Sequence, residues 1–236
     1  MPENIYDSEF VRRLFNRMSA SYERMNFITS FGFSIRWRKQ FIKKIPSDNN
    51  QIQVIDLLTG MGECWDGIRN NFPNAIITAL DFSDKMLARA ENRNRKKFNN
   101  KILISNQNLL SNNLPSLFYD VVVCSFGLKT FSKEQLYSIA SETFRILKPG
   151  GYFSFVEVSK PKNKILLALY RFYLKFIIPV FGKLFLGNPE EYKMLWLYTE
   201  KFENALSVRD IFANAGLHAK YDSYFFGCAT GLSGKK

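Results

Sequence analysis

The sequence predicts an α/β domain: a doubly wound, mostly parallel sheet with an antiparallel edge. Three observations carry that prediction. From residue 51 onward short apolar runs alternate with helical patterns, as expected of helices covering both faces of one sheet. Val54 to Glu63, V-I-D-L-L-T-G-M-G-E, reads as a buried strand running into a Gly-rich turn. Asp120 to Ser125, D-V-V-V-C-S, is apolar without alternation, the pattern of a parallel strand buried on both sides.

Taken in order, residues 5–45 read as helical, with Phe10, Leu14, Met18, Tyr22 and Met25 at helical spacing. Ser30-Phe31-Gly32 punctuates this region before a basic, aromatic helix from Ile35 to Ile45. Pro46 to Asn50 is a linker. Strand one is Gln53 to Leu57, followed by the Gly turn and a helix through Asn71. Strand two, Ala75 to Leu80, runs into Asp81. A helix from Asp84 to about Phe98 has Ser83 as its expected cap. Lys101 to Ser105 is strand three and Asp120 to Ser125 strand four. The helix Lys133 to Leu147 stops at Pro149-Gly150-Gly151, and Tyr152 to Val158 is strand five.

The rhythm then breaks. Ile165 to Ile178 is an apolar and aromatic helix on which Lys164, Arg171 and Lys175 form one stripe, ended by Pro179 and Gly182. Pro189 to Phe202 is a further aromatic helix. Ser207 is the expected cap of a helix reaching Gly216. Ala219 to Phe225 and Cys228 to Leu232 complete the edge. The expected organisation is one domain over 1–236: a helical lid (1–46), a ligand-binding core (51–161), an aromatic helical cap (162–205), and a final helix with edge strands (206–236).

Length and composition agree with a sizeable core: 236 residues, 46% hydrophobic and 16% aromatic, with 23 Phe. A net charge of +12 favours an anionic surface or polyanion. No Lys/Arg block or motif for nucleic acid is present, and no nucleic-acid partner is expected. Cys64, Cys124 and Cys228 are scattered, with no C-x-x-C pair, so neither a disulfide framework nor a metal site is expected. A reducing, cytoplasmic setting follows. The N-terminus M-P-E-N-I-Y-D has no signal-peptide pattern, and no apolar run is long enough to span a bilayer.

The Gly turn has Gly60 and Gly62, but Trp65 stands where a dinucleotide fingerprint has its third glycine. A diphosphate needs that extra room; a phosphate-free ligand needs less. Asp81, about 20 residues past the first glycine, can accept both hydroxyls of a ribose. Together they indicate an adenosyl ligand without phosphates, S-adenosylmethionine. Asp56 is placed to orient the turn together with Thr59, and Glu63 to meet the methionine ammonium. Phe82, Met86 and Ser125 follow the strand ends, and Gln107 and Asn108 are placed to read adenine after strand three.

Further motifs sharpen this. The stretches D-L-L-T-G-M-G-E (56–63), D-F-S-D-K-M-L (81–87), F-G-L-K (126–129), R-I-L-K-P-G-G (145–151) and V-E-V-S-K-P (156–161) lie between Trp37-Arg38 upstream and Ala215-Gly216-Leu217 downstream. The whole resembles the ubiquinone/menaquinone biosynthesis C-methyltransferase family, within the Rossmann-like class I S-adenosylmethionine-dependent methyltransferases. F-G-L-K and E-V-S-K-P are closest to this family. The sequence departs from it at Met61, Trp65, Gln107-Asn108 and Lys129, where the family has smaller residues, Asp-Ala and Arg.

The resemblance implies C-methylation of a reduced polyprenyl quinol. Such chemistry needs a fixed positive charge or a proton acceptor beside the phenol. Lys129 is the first candidate to stabilise a phenolate. Glu157 could take the proton or pair with Lys160, and Tyr22 and Tyr192 could hydrogen-bond the ring oxygen. His218, on an edge strand, is not expected to act. Segment 164–187 suits a lipophilic substrate, either as a tunnel for an isoprenoid tail or lying peripherally on the inner face of a membrane. The oligomeric state stays open, a homodimer included. Two other readings remain: methylation of a soluble specialised metabolite at N, O or C, and cofactor binding without catalysis.

Overall fold

A computed structural model describes residues 4–20, 30, 32–173, 176 and 189–236, with the side chains of 189–193 outside that set. Seven strands form one sheet in the order β3-β2-β1-β4-β5-β7-β6. These are β1 (Gln53–Leu57), β2 (Ile76–Asp81), β3 (Ile102–Asn106), β4 (Tyr119–Ser125), β5 (Leu147–Val158), β6 (His218–Tyr224) and β7 (Ala229–Lys235). The first five are parallel, while β7 runs antiparallel to both β5 and β6.

Alternate residues of the central strands enter different cores. Val54, Val121 and Val123 pack with Trp37, Phe41, Trp65 and Phe72, which lie on or beside α2 (Phe33–Ile42) and α3 (Trp65–Asn71). Ile55, Leu57, Val122 and Cys124 face the opposite side. There they meet α5 (Lys133–Ile146) and α8 (Leu206–Asn214) through Leu136, Ile139, Val208 and Phe212. Helices on both faces explain why the centres of these strands carry apolar residues on both sides. The helix α4 (Asp84–Lys97) follows β2.

The helical additions differ in detail from the sequence reading. The first described stretch holds α1 (Ser8–Met18), capped by Asp7, whose Oδ1 accepts from Phe10 N at 2.8 Å. Then α2 begins at Phe33, with Gly32 at its cap position (φ +76°), instead of at Ile35, and ends at Ile42 instead of Ile45. Tyr22 and Met25 lie outside the described residues. The next addition begins with α6 (Lys164–Phe172), capped by Asn163; Lys175, Ile178, Pro179 and Gly182 lie outside the described residues. Beyond it, α7 spans Pro189–Phe202. Arg171, exposed one stripe position beyond Lys164, pairs with Glu200 of α7 at 2.6 Å and lies over the Trp196 ring.

Two caps are corrected. Ser83 occupies the cap position of α4, but its Oγ donates to Asn16 Oδ1 at 2.8 Å and makes no cap bond, tying α4 to α1. Ser207 lies inside α8. Ala205 holds the cap position, and the Asn204 side chain accepts from Leu206 N at 2.9 Å. No described helix is long and apolar enough to cross a membrane.

Candidate active site

The order of the sheet reverses at β1, which lies between β2 and β4, so the carboxyl ends of β1 and β4 frame a crevice. The Gly turn sits there. Gly60 and Gly62 have φ of +58° and +79°, values open to glycine at little cost. Gly62 is needed twice over, because a Cβ would lie 2.6 Å from Trp65 Cδ2. Trp65, a departure from the family pattern, is fully buried. Its Nε1 donates to Thr59 Oγ1 at 2.9 Å, and its ring meets Phe98 edge-on.

Asp56 lies within β1, not at its end, and acts through a side chain. Thr59 Oγ1 donates to Asp56 Oδ2 at 2.6 Å, so the chain Trp65–Thr59–Asp56 locks the turn. Burial pushes the Asp56 carboxyl up to about 7. The Thr59 bond opposes that shift, and the nearby Glu63 carboxylate adds to it. Asp81 ends β2 as expected. Its Oδ2 accepts from Gly60 N at 2.8 Å, and its Oδ1 from Phe82 N and Ser83 N at 2.8 and 2.9 Å. Burial raises its pKa, against the pull of these three N–H groups. The carboxylate is thereby held rigidly at the mouth of the turn.

One cavity gathers most of the expected cofactor residues: Thr59, Gly60, Glu63, Asp81, Phe82, Met86 and Ser125 all line it. Val11 and Phe15 of α1 close it from the lid side. Arg12–Asp84 at 2.7 Å and Asn16 anchor α1 there. Gln107 and Asn108 are committed to their own loop. Gln107 bonds Ser105 Oγ and Asn113 N, and Asn108 Oδ1 accepts from Leu110 N; neither lines the cavity.

The residue that sequence reasoning missed is Arg38. It is nine-tenths buried, contacts Glu63 at 3.4 Å, sits over the Phe126 ring at 4.8 Å, and lines the cavity. Its signal was present in the Trp37-Arg38 pair. Glu63 also accepts from Met61 N at 3.1 Å, so its carboxylate closes the turn on itself.

Lys129 and Glu157, both expected to act on the acceptor, pair with each other. Nζ meets Oε1 at 2.5 Å, and Lys129 N donates to Oε2 at 3.1 Å. Both side chains are buried. The alternative partner of Glu157, Lys160, pairs instead with Glu203 at 3.3 Å. The neighbours of Lys129 in sequence, Gly127, Thr130 and Phe131, line the cofactor cavity. An apolar groove of about 340 Å³ lies between α2 and α6, lined by residues that include Trp37, Leu166, Tyr170 and Cys228. Burial raises the Tyr170 hydroxyl far above the ordinary phenol range, with Cys228 and Glu157 adding to it. Tyr22 lies outside the described residues, and Tyr192 lies on α7 with its side chain outside them. Exposed His218 sits on edge strand β6. Among the described residues no cluster of His, Cys, Asp or Glu could hold a metal ion.

Comparison with known proteins places this arrangement. The demethylmenaquinone methyltransferase of Lactococcus lactis is 29% identical over 214 residues, covering 90% of this chain and 84% of that protein. The protein of that name from Geobacillus stearothermophilus is 29% identical over 223 residues, 94% of each. Two solved structures share the fold. The Haemonchus contortus phosphoethanolamine N-methyltransferase 2, in complex with S-adenosyl-L-methionine, has a TM-score of 0.57 at 15% identity, over 80% of this chain and 38% of that one. A SAM-dependent methyltransferase from Aquifex aeolicus has a TM-score of 0.56 at 16% identity, over 83% and 88%. Residues 3–236 match the ubiE/COQ5 methyltransferase family, and the chain belongs to that family as a methyltransferase.

Proposed function

We propose that the protein methylates a ring carbon of a reduced polyprenyl quinol, demethylmenaquinol or a close relative, with S-adenosylmethionine as the methyl donor. The observation that carries this reading is the buried Lys129–Glu157 pair, whose neighbours in sequence Gly127, Thr130 and Phe131 line the cavity that also gathers Gly60 and Asp81. The demethylmenaquinone methyltransferases among the relatives support the same acceptor class.

The cofactor residues fit an adenosyl ligand. Asp81 presents a carboxylate held by three backbone N–H groups, suited to two ribose hydroxyls. The missing Cβ atoms at Gly60 and Gly62 leave the turn backbone bare. Glu63 faces the cavity where a cationic amino-acid moiety would be matched. S-adenosylmethionine supplies an electrophilic methyl group on sulfur. The protein must then bring a ring carbon into line with it at about 3–3.5 Å.

For each methyl gained by the ring, one proton leaves, and negative charge builds on the phenol oxygen beforehand. Lys129, pinned by Glu157 through both its ammonium and its backbone N–H, is the fixed positive charge that stabilises that oxygen. Glu157 positions Lys129 and is the proposed destination of the proton. Tyr22 and Tyr192, from the two helical additions, are the proposed hydrogen-bond donors to the ring oxygen. The groove receives the isoprenoid tail. A quinol of this kind resides in a bilayer, so the reading carries peripheral membrane contact with it.

The test is incubation with S-adenosylmethionine and either reduced demethylmenaquinone or soluble phenols, read by mass spectrometry. A gain of one methyl on the quinol alone is expected. Methylation confined to a hydrophilic acceptor would overturn the quinol assignment in favour of a soluble metabolite.

A further inference from the structure

The outer face of α6 is exposed among the described residues, and its Leu169 and Phe172 also border the apolar groove. None of its residues is buried, and Ile165, Leu169 and Phe172 stand 75%, 63% and 56% exposed at the spacing of one helical stripe. Phe176 continues the stripe, its ring 5.4 Å from that of Phe172. A second apolar projection lies beside it. In the turn between β6 and β7, Phe225 and Phe226 both adopt positive φ, 40° and 54°. That conformation is strained for an aromatic residue. Burial normally offsets such strain, yet Phe226 is 78% exposed. The Phe225 ring lies 4.2 Å from Phe33 of α2, and the apolar groove opens between these elements.

Cations flank this patch. Arg36 and Lys43 are exposed on α2, and Lys162 and Lys164 are exposed at the start of α6. The acidic groups near these elements are already engaged: Asp222 with Lys44, Glu203 with Lys160, and Glu200 with Arg171. Projecting aromatic and aliphatic side chains within a positive rim match the interfacial zone of an anionic bilayer, where apolar groups enter the acyl boundary and cations meet phosphates.

We propose that the α6 stripe, the Phe225–Phe226 turn and the basic edge of α2 form a docking surface for an anionic phospholipid bilayer, through which the groove takes its acceptor sideways from the membrane. The docking surface stands on the exposed residues; the delivery of acceptor rests on the quinol reading above.

The experiment uses the full chain with vesicles of phosphatidylcholine alone or mixed with phosphatidylglycerol, read by co-sedimentation. Binding to the anionic vesicles is expected, falling several-fold in 0.5 M salt. Phe226→Ser combined with Ile165→Ser is expected to weaken binding about tenfold or more, since neither residue lines the groove or packs in the core. Arg36→Glu with Lys43→Glu is expected to weaken it by a similar factor. Absence of vesicle binding, or equal binding by wild type and both variants, overturns the proposal. So does a lipid-free dimer that the Phe226/Ile165 variant abolishes, because the occupant is then a second copy of the chain. A parallel assay compares a short-tailed, water-soluble demethylmenaquinol with a long-tailed one held in vesicles. The Phe226/Ile165 variant is expected to keep its rate on the soluble acceptor and lose it on the vesicle-held one. Failure of both acceptors with vesicle binding intact would sink the quinol reading and leave the docking surface standing.

Discussion

Gly62→Ala tests how the cofactor turn is held. Two costs are separable. The first is conformational: an L-residue at φ +79° loses about 1–2 kcal/mol. The second is steric. The new Cβ would lie 2.6–2.7 Å from three atoms of the Trp65 ring, about 1 Å inside an ordinary carbon contact. Trp65 cannot retreat, because its Nε1 is bonded to Thr59 and its ring is closed off by Phe98. Overpacking of this kind costs a further ~1–3 kcal/mol, so the total expected loss is about 4 kcal/mol. Gly150 provides the control. Its φ is +77°, almost the same, but a Cβ there meets nothing within 4 Å. Gly150→Ala should therefore cost only the conformational ~1–2 kcal/mol. In a Trp65→Leu background the Gly62→Ala cost should fall to that same level, a coupling of about 2 kcal/mol. Urea unfolding of the four variants measures all of this. If Gly62→Ala matches Gly150→Ala in the wild-type background, or is unchanged by Trp65→Leu, the tryptophan does not hold the turn.

Three further outcomes follow from the site. Asp81→Ala should weaken S-adenosylmethionine binding by at least about 100-fold, the loss of two charge-assisted hydrogen bonds; undiminished binding in calorimetry would exclude Asp81 as the ribose ligand. Lys129→Met leaves a fully buried carboxylate without its cation and should cost about 3–5 kcal/mol. Adding Glu157→Gln should recover much of that stability while turnover stays lost, and full turnover in either variant would remove Lys129 from the chemistry. The Asp56 carboxyl is pushed up to about 7 in the fold, from 3.8. The folded state therefore holds its proton over a window where the unfolded chain has released it. Its stabilising contribution is complete below pH 3.8 and disappears as pH rises to about 7, a few kcal/mol in all. Asp56→Asn, which keeps an acceptor for Thr59, should flatten the fall in urea midpoint between pH 4 and 7; an unaltered profile refutes this.

The strands were legible because buried apolar runs between turn residues leave few alternatives. Gln53–Leu57 is the strand that the sequence predicted, and α7 is likewise the helix Pro189–Phe202. Asp81 and Ser125, expected at strand ends, do lie there and line one cavity for the same reason: topology places them once the strands are known. What the sequence concealed are side-chain partnerships across the fold. Glu157 had two lysines within reach along the chain, and only the drop of the 3₁₀ turn Leu128–Thr130 onto β5 decides for Lys129. Gln107 and Asn108 looked free to read a base, but loop residues with unsatisfied backbone neighbours are captured by them first. Ser207 lost its cap to Asn204 because Ala205 N donates to Thr230 Oγ1, starting the helix two residues earlier. Arg38 reads as one of many cations in a basic helix, set apart in the sequence only by the Trp37-Arg38 pair and in the fold by its burial.

The two halves of the site are joined at one point of backbone strain. Leu58 after β1 and Phe126 after β4 both have positive φ, 56° and 61°. Both strained residues stand at adjacent strand ends, where the sheet order reverses, and both line the cavity. Gly127 follows Phe126, and a Cβ there would stand 2.4 Å from Leu58 Cδ1. Its bareness lets the β4 loop settle against the end of β1, whose next residues form the cofactor turn. The same descent carries Lys129 onto Glu157. The Gly turn that holds the cofactor and the cation assigned to the acceptor are therefore not independent sites that happen to be near. They share a contact, Leu58 against Gly127, and a side chain introduced at Gly127 must displace one or the other.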